Sequence, residues 1–174
     1  LRKQRRTFKA AFVVFWEGSK NVDKVVRLKK LSHYDESFPL PEYKTLEAAG
    51  ADLRASFPSK NPLRLLPGEK ALIPTGLSLE IPQGFEIQVR PRSGLSFKTG
   101  LMVLNAPGTV DSDYRGELKV ILGNLGEKEE VIDHGERVAQ IVLAPVYRAV
   151  FTEVKTDLTQ TERGIGGFGS TGRR

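Results

Sequence analysis

The chain has 174 residues, 39% of them hydrophobic and 28% charged, with no cysteine and two histidines. This length carries one domain with its own core, while disulfides, thiolate metal sites, cysteine nucleophiles and a histidine-rich metal centre are excluded. The formal net charge of +6 misleads: residues 1–30 hold ten Lys/Arg against two Asp/Glu, and residues 31–174 hold seventeen against nineteen, so nothing in the body's charge calls for nucleic acid.

Residues 1–24 read as a basic extension outside the core. The apolar run Ala10–Trp16 is too short to span a membrane, and Glu17-Gly-Ser-Lys follows it in place of a small-x-small cleavage site. Its Arg-rich, acid-poor composition also fits organelle targeting. The chain begins with Leu, as a processed product, a fragment or an over-extended reading frame does. A cytoplasmic enzyme with no membrane partner is the default expectation.

From Val25 the pattern predicts short strands separated by turns. Candidates are 25–28, then 51–56 after the extended Phe38-Pro-Leu-Pro41 linker, then 70–74 after the turn at 66–69. Gly76–Ile81 forms another, closed by Pro82-Gln-Gly84. Phe85–Arg90 alternates, with Phe85, Ile87 and Val89 on one face. A helical turn is expected over Ser93–Thr99, behind Pro91. Strands at 117–122, 131–132, 138–143 and 149–154 complete the series. Strand signals at this spacing argue for an all-β sandwich or barrel. Residues 25–160 are taken as the barrel domain and 161–174 as a Gly-rich C-terminal arm.

Within that arm, Arg163-Gly-Ile-Gly-Gly-Phe-Gly-Ser-Thr171 and the three residues after it have no apolar period to pack with. Exposed glycine N–H groups and arginine forks suit phosphate oxygens, and Phe168 suits a flat ring. The composition points to an arm closing over a nucleotide. A glycine-rich tail without a ligand fits it equally.

Four more stretches accompany it: Ala49-Gly-Ala-Asp-Leu-Arg-Ala55, Pro91-Arg-Ser-Gly-Leu95, Gly108-Thr-Val-Asp-Ser-Asp-Tyr-Arg-Gly-Glu117 and Gly135-Glu-Arg-Val-Ala-Gln140. In this order and spacing the five resemble the motifs of the trimeric dUTPases, over residues 25–174. The resemblance implies a homotrimer of jelly-roll-like β-barrels in which three subunits build each site and exchange C-terminal arms. It also implies hydrolysis of dUTP to dUMP and pyrophosphate with Mg²⁺, which limits uracil in DNA and supplies dUMP.

Carried over residue by residue, Asp111 corresponds to the water-activating carboxylate, a role an aspartate's basicity suits. Tyr114 corresponds to the ring under the deoxyribose that excludes a 2′-hydroxyl. Asn105 reads uracil, with backbone groups around Gly108. Arg92, Ser93, Gly94 and Gln140 correspond to phosphate contacts. In the arm, Arg163 meets the γ-phosphate, Phe168 stacks on uracil, and Gly167, Gly169, Ser170 and Thr171 supply phosphate-facing groups. Asp52 corresponds to an acid acting on the metal through water or on the subunit interface. Asp113 and Arg54 read as structural.

Some positions depart from the family pattern. Pro107 removes a backbone donor beside Asn105. Gly123 replaces a larger residue and is expected to loosen packing. Ser96-Phe-Lys98 has no reading. Two other activities fit the fold: a dCTP deaminase-related enzyme, for which no spare acid/base is evident, and a nucleotide-sensing regulator whose arm is a switch.

Overall fold

A computed structural model describes residues 24–167. Residues 1–23 of the 1–24 extension and arm positions Phe168, Gly169, Ser170 and Thr171 lie outside the described residues.

The chain folds as antiparallel strands, as alternation in its apolar residues requires. β1 (Arg27–Lys30), β4 (Lys70–Glu80), β8 (Glu117–Asn124) and β6 (Leu101–Val103) form one sheet in the order β1-β4-β8-β6. β2 (Ala51–Arg54), β10 (Arg137–Pro145), β5 (Phe85–Arg90) and β7 (Gly108–Val110) form the second, in the order β2-β10-β5-β7. β3 (Leu63–Leu65) and β9 (Glu130–Ile132) make a short ribbon. The only helix among the described residues is α1 (Ser93–Lys98).

The inward faces alternate as a two-residue period dictates. Leu118, Val120 and Leu122 of β8 are buried, and exposed Lys119 points outward between the first two. Ala51, Leu53, Ile87, Val89, Val138 and Ile141 enter the same core from the second sheet. Two sheets burying one core between them make the sandwich the sequence predicts.

β4 merges the two strands expected at 70–74 and 76–81. Pro74 does not break it, because a strand residue's N and carbonyl point to the same edge. The Pro74 carbonyl accepts the Ser56 N–H at 2.8 Å, so its missing donor faces away from β8. The ladder to β8 instead slips between Pro74 and Ser78, a bulge centred on Gly76, whose φ is +69°.

One expected strand is absent: residues 149–154 form no ladder among the described residues. Val150 and Phe151 are 91% and 95% exposed, so within this chain the segment has no strand to pair with and no face to bury. The short strands β3, β6 and β7 have only three residues each, too few to show a period in the sequence. Gly123 is also explained. A Cβ there would lie 2.6 Å from Leu104 Cδ2, so Leu104 fills the space expected to be loose.

Two polar nodes stabilise the loops around the sandwich. Asn124 is fully buried. Its Nδ2 donates to the Leu65 and Lys128 carbonyls at 2.9 and 2.7 Å, and its Oδ1 accepts the Gly126 N–H at 2.9 Å. Asn124→Ala strands these buried groups and is expected to cost about 2–4 kcal/mol, read as a lower denaturant midpoint at unchanged slope.

The second node is Asp35. Its carboxylate accepts from Lys60 at 2.5 Å, from the Ser37 hydroxyl and N–H at 2.7 and 2.9 Å, and from His134 Nε2 at 3.2 Å. His134 Nδ1 accepts the Phe57 N–H at 3.0 Å, which puts the ring proton on Nε2. Lys60, then Ser37 and His134, hold the Asp35 carboxyl well below the usual carboxylate range. A depressed folded-state value stabilises the fold above the unfolded carboxyl's pKa of about 3.9 and is lost as pH falls further, through the folded value. Thermal melts of wild type against Asp35→Asn should therefore diverge above about pH 4 and converge in stronger acid.

Candidate active site

The connections β6–β7 and β7–β8 bring four predicted residues to one place. Asn105, Gly108, Asp111 and Tyr114 line a cleft of about 260 Å³. Its apolar walls come from both sheets: Leu72, Leu118 and Ile121 on one side, Val89 and Val110 on the other.

Glycines set the geometry of this cleft. A Cβ at Gly108 would meet Asn105 Nδ2 at 2.9 Å, and one at Gly116 would meet the Tyr114 hydroxyl at 2.3 Å. A side chain at either position would push Asn105 or Tyr114 away from the backbone over which each now folds. The Tyr114 hydroxyl donates to the Glu117 carbonyl at 3.0 Å, and the Tyr114 N–H closes a turn on the Asp111 carbonyl at 3.2 Å. Arg115 Nη1 locks that turn by donating to the Ser112 and Tyr114 carbonyls at 2.7 and 2.9 Å. The peptide before Pro107 is cis, in the loop carrying Asn105.

Asp111 is exposed. Its side chain has no hydrogen-bonding partner among the described residues, which leaves both oxygens available to a water. It stands where the cleft meets a larger groove of about 1190 Å³. Asp113 borders only the groove, so the structure separates two aspartates that look alike in Asp-Ser-Asp.

A second cluster gathers on β2, β10 and the start of α1. Asp52 Oδ1 accepts from Arg92 Nε at 2.7 Å and Oδ2 from Arg137 Nη1 at 2.9 Å. Arg92 Nη1 also donates to the Arg137 carbonyl at 3.2 Å. Burial pushes the Asp52 carboxyl up, but Arg137 and Arg92 together outweigh it and hold the group below its ordinary value. Gln140 lies opposite Asp52 in the ladder, and its Nε2 donates to the Pro91 carbonyl at 2.9 Å. Gln140 thus braces the loop bearing Arg92, with exposed Ser93 and Gly94 beyond it. Sequence reasoning passed over Arg137. Its position in Gly135-Glu-Arg-Val-Ala-Gln140, on the strand paired with Asp52, was the available signal.

The structure does not merge the two clusters: neither Arg92, Ser93, Gly94, Gln140 nor Asp52 lines the cleft. Arg163 stands apart as well, exposed, its Nε donating to the Gly166 carbonyl at 2.8 Å; Gly167 closes the described part of the arm.

The dUTPase family model matches residues 36–172, from the loop before β2 into the arm. The chain belongs to the dUTPase family. It is 60% identical over 137 residues to a deoxyuridine 5′-triphosphate nucleotidohydrolase of Rhizobium etli, covering 79% of this chain and 87% of that dUTPase. The enzyme of the same name from Chlamydia pneumoniae is 56% identical over 138 residues, 79% of this chain and 94% of the relative. In structure, a Staphylococcus bacteriophage 80alpha dUTPase solved with dUPNHPP superposes at a TM-score of 0.75 and 27% identity, covering 86% of this chain and 99% of that one. The jelly-roll-like β fold expected for a dUTPase is the one observed.

Proposed function

We infer that this chain hydrolyses dUTP to dUMP and pyrophosphate. The observation that carries the reading is the cleft where Asn105, Asp111 and Tyr114 meet around Gly108, set in a chain 60% identical to a dUTP nucleotidohydrolase. Asn105 offers an amide, with both donor and acceptor, to the uracil edge. Tyr114 lies against the deoxyribose and leaves no room for a 2′-hydroxyl. Asp111 orients a water and takes its proton as the water oxygen bonds to the α-phosphorus. The bond from that phosphorus to the bridging oxygen breaks, and pyrophosphate leaves.

The phosphate chain is bound by Arg92, Ser93 and Gly94, with Gln140 supporting the loop. Arg163, Gly167, Phe168, Gly169 and Ser170 close from the arm, which excludes water and aligns the attack. Dividing the chain into an extension at 1–24, a barrel at 25–160 and an arm at 161–174 follows from these roles.

Dependence on Mg²⁺ is general in the family. Among the described residues no three acidic or histidine side chains cluster to cage a metal, and both Asp52 oxygens are on arginines. With that donor set a cation would be held chiefly by the triphosphate, and Asp52 would reach it only through water. When bound, Mg²⁺ neutralises charge on the phosphates.

A single chain leaves the cleft and the phosphate cluster apart and leaves Val150, Phe151, Leu158 and Ile165 in solvent. Both features are resolved in a homotrimer with exchanged arms, where one copy's phosphate loop and arm complete another's cleft. Sedimentation equilibrium should give three chains per particle. No helix among the described residues is long and apolar enough to cross a membrane.

The deciding assay measures pyrophosphate release from dUTP, dCTP, dTTP and UTP with Mg²⁺. Cleavage of dUTP well above the other three is expected. Ammonia release from dCTP, or dUTP binding without turnover, would sink the reading.

A further inference from the structure

Glu117 holds the bulge of β4 to the rim of the cleft. Opposite Leu118 the ladder loses register, so Thr75, Gly76 and Leu77 lack regular partners on β8. Side chains replace the missing ladder. The Thr75 hydroxyl donates to the Leu118 carbonyl at 2.5 Å, and the Ser78 hydroxyl donates to the Arg115 carbonyl at 2.6 Å. The Gly76 N–H donates to Glu117 Oε1 at 2.9 Å. His33 Nε2 meets the same oxygen at 2.8 Å, and Lys119 Nζ lies 3.3 Å from Oε2. The Gly76 carbonyl accepts the Leu31 N–H at 2.8 Å, so the loop carrying His33 is tied to the same point.

The Glu117 side chain is only 12% exposed, yet the residue also lines the cleft with Asp111 and Tyr114. Its backbone carbonyl is the acceptor for the Tyr114 hydroxyl. One residue thus joins a buried polar anchor to the ring that the functional reading places against the sugar. The anchor is costly to leave half-satisfied, so the carboxylate has one resting place.

We propose that Glu117 is the positioning residue for Tyr114: pinned by Gly76 and His33, it sets the height of the ring against the sugar and so the discrimination between deoxyribose and ribose. The carboxylate's bonds to Gly76 and His33 act on that carbonyl together with the Thr75 and Ser78 hydroxyls on the flanking Leu118 and Arg115 carbonyls. Gly116 admits no side chain beside the ring, so the Tyr114 ring lies directly against the hairpin backbone. This inference rests on the cleft being a dUTP site.

The test compares dUTP and UTP kinetics for wild type, Glu117→Ala and Glu117→Gln. Glu117→Ala is expected to raise KM for dUTP and to cut the preference for dUTP over UTP by about tenfold. Glu117→Gln, which keeps an oxygen for the Gly76 N–H, recovers most of that preference. In a Tyr114→Phe background, without the hydroxyl, Glu117→Ala should change the ratio less than about twofold. A Glu117→Ala protein that melts earlier but keeps the wild-type ratio overturns the proposal. If Glu117→Ala does not fold, His33→Leu decides, since it removes one pin: a shift of about two- to threefold in the same ratio supports the proposal, and an unchanged ratio overturns it. A wild type that fails to cleave dUTP overturns the functional reading itself.

Discussion

Asp111→Asn lowers kcat for dUTP by about two to four orders of magnitude and moves KM by less than about threefold, the loss expected when a positioned general base disappears. The amide has the shape of the carboxylate and still orients a water, but it cannot accept the proton. Because the Asp111 side chain has no hydrogen-bonding partner among the described residues and is exposed, the change is expected to leave stability within about 0.5 kcal/mol. Lost activity with an unchanged melting curve then assigns the effect to chemistry. Asp113→Asn is the control, since Asp113 borders the groove but not the cleft. Steady-state kinetics on both variants settle the point. Substantial turnover in Asp111→Asn, or a comparable collapse in Asp113→Asn, removes Asp111 from the role of base.

How far each feature is legible in the sequence depends on where its partners lie. β5 is clear because the alternation of Phe85, Ile87 and Val89 is local. β3, β6 and β7 are not, although the equally short β9 is expected at 131–132: β7 exists only through pairing with Ile87–Val89 of β5, which no window around Gly108 contains. Residues 149–154 show the opposite failure. Their composition is strand-like, but propensity forms no strand without a neighbour to bond and a face to bury. The expected strands end at Pro74 and resume at Gly76, whereas β4 runs through both, since a proline whose missing donor faces away from the pairing strand is tolerated.

The site divides along the same line. Asn105, Asp111 and Tyr114 fall within ten residues, so one short stretch, a motif and the residues just before it, supplies all three. The arginine pair on Asp52 spans 40 and 85 residues of sequence, and no spacing rule indicates Arg137. Glu117 was visible as the end of a motif, but its link to Gly76 needs the β4–β8 bulge. Gly123 looked like missing volume because Leu104, which fills it, comes from another strand end.

Arg92→Leu is the second large effect, and two losses combine in it. Arg92 spends Nε on Asp52 and Nη1 on the Arg137 carbonyl, which fixes the guanidinium and leaves its other donors for phosphate. If Arg92 binds the triphosphate as proposed, removing it takes away a preorganised charge and is expected to cost about two to three orders of magnitude in kcat/KM. It also strips one partner from Asp52, whose side chain is 17% exposed, and is expected to lower stability by about 1–3 kcal/mol. Arg92→Lys keeps the charge but lacks the fork, so it should recover part of the stability and little of the activity. The two losses separate in the Arg92→Leu/Asp52→Asn double variant. With the carboxylate neutralised, the melting temperature should return toward that of Asp52→Asn alone, while kcat/KM stays low. If kcat/KM instead recovers to the Asp52→Asn level, Arg92 acts only by holding Asp52, and the phosphate contact must be assigned elsewhere.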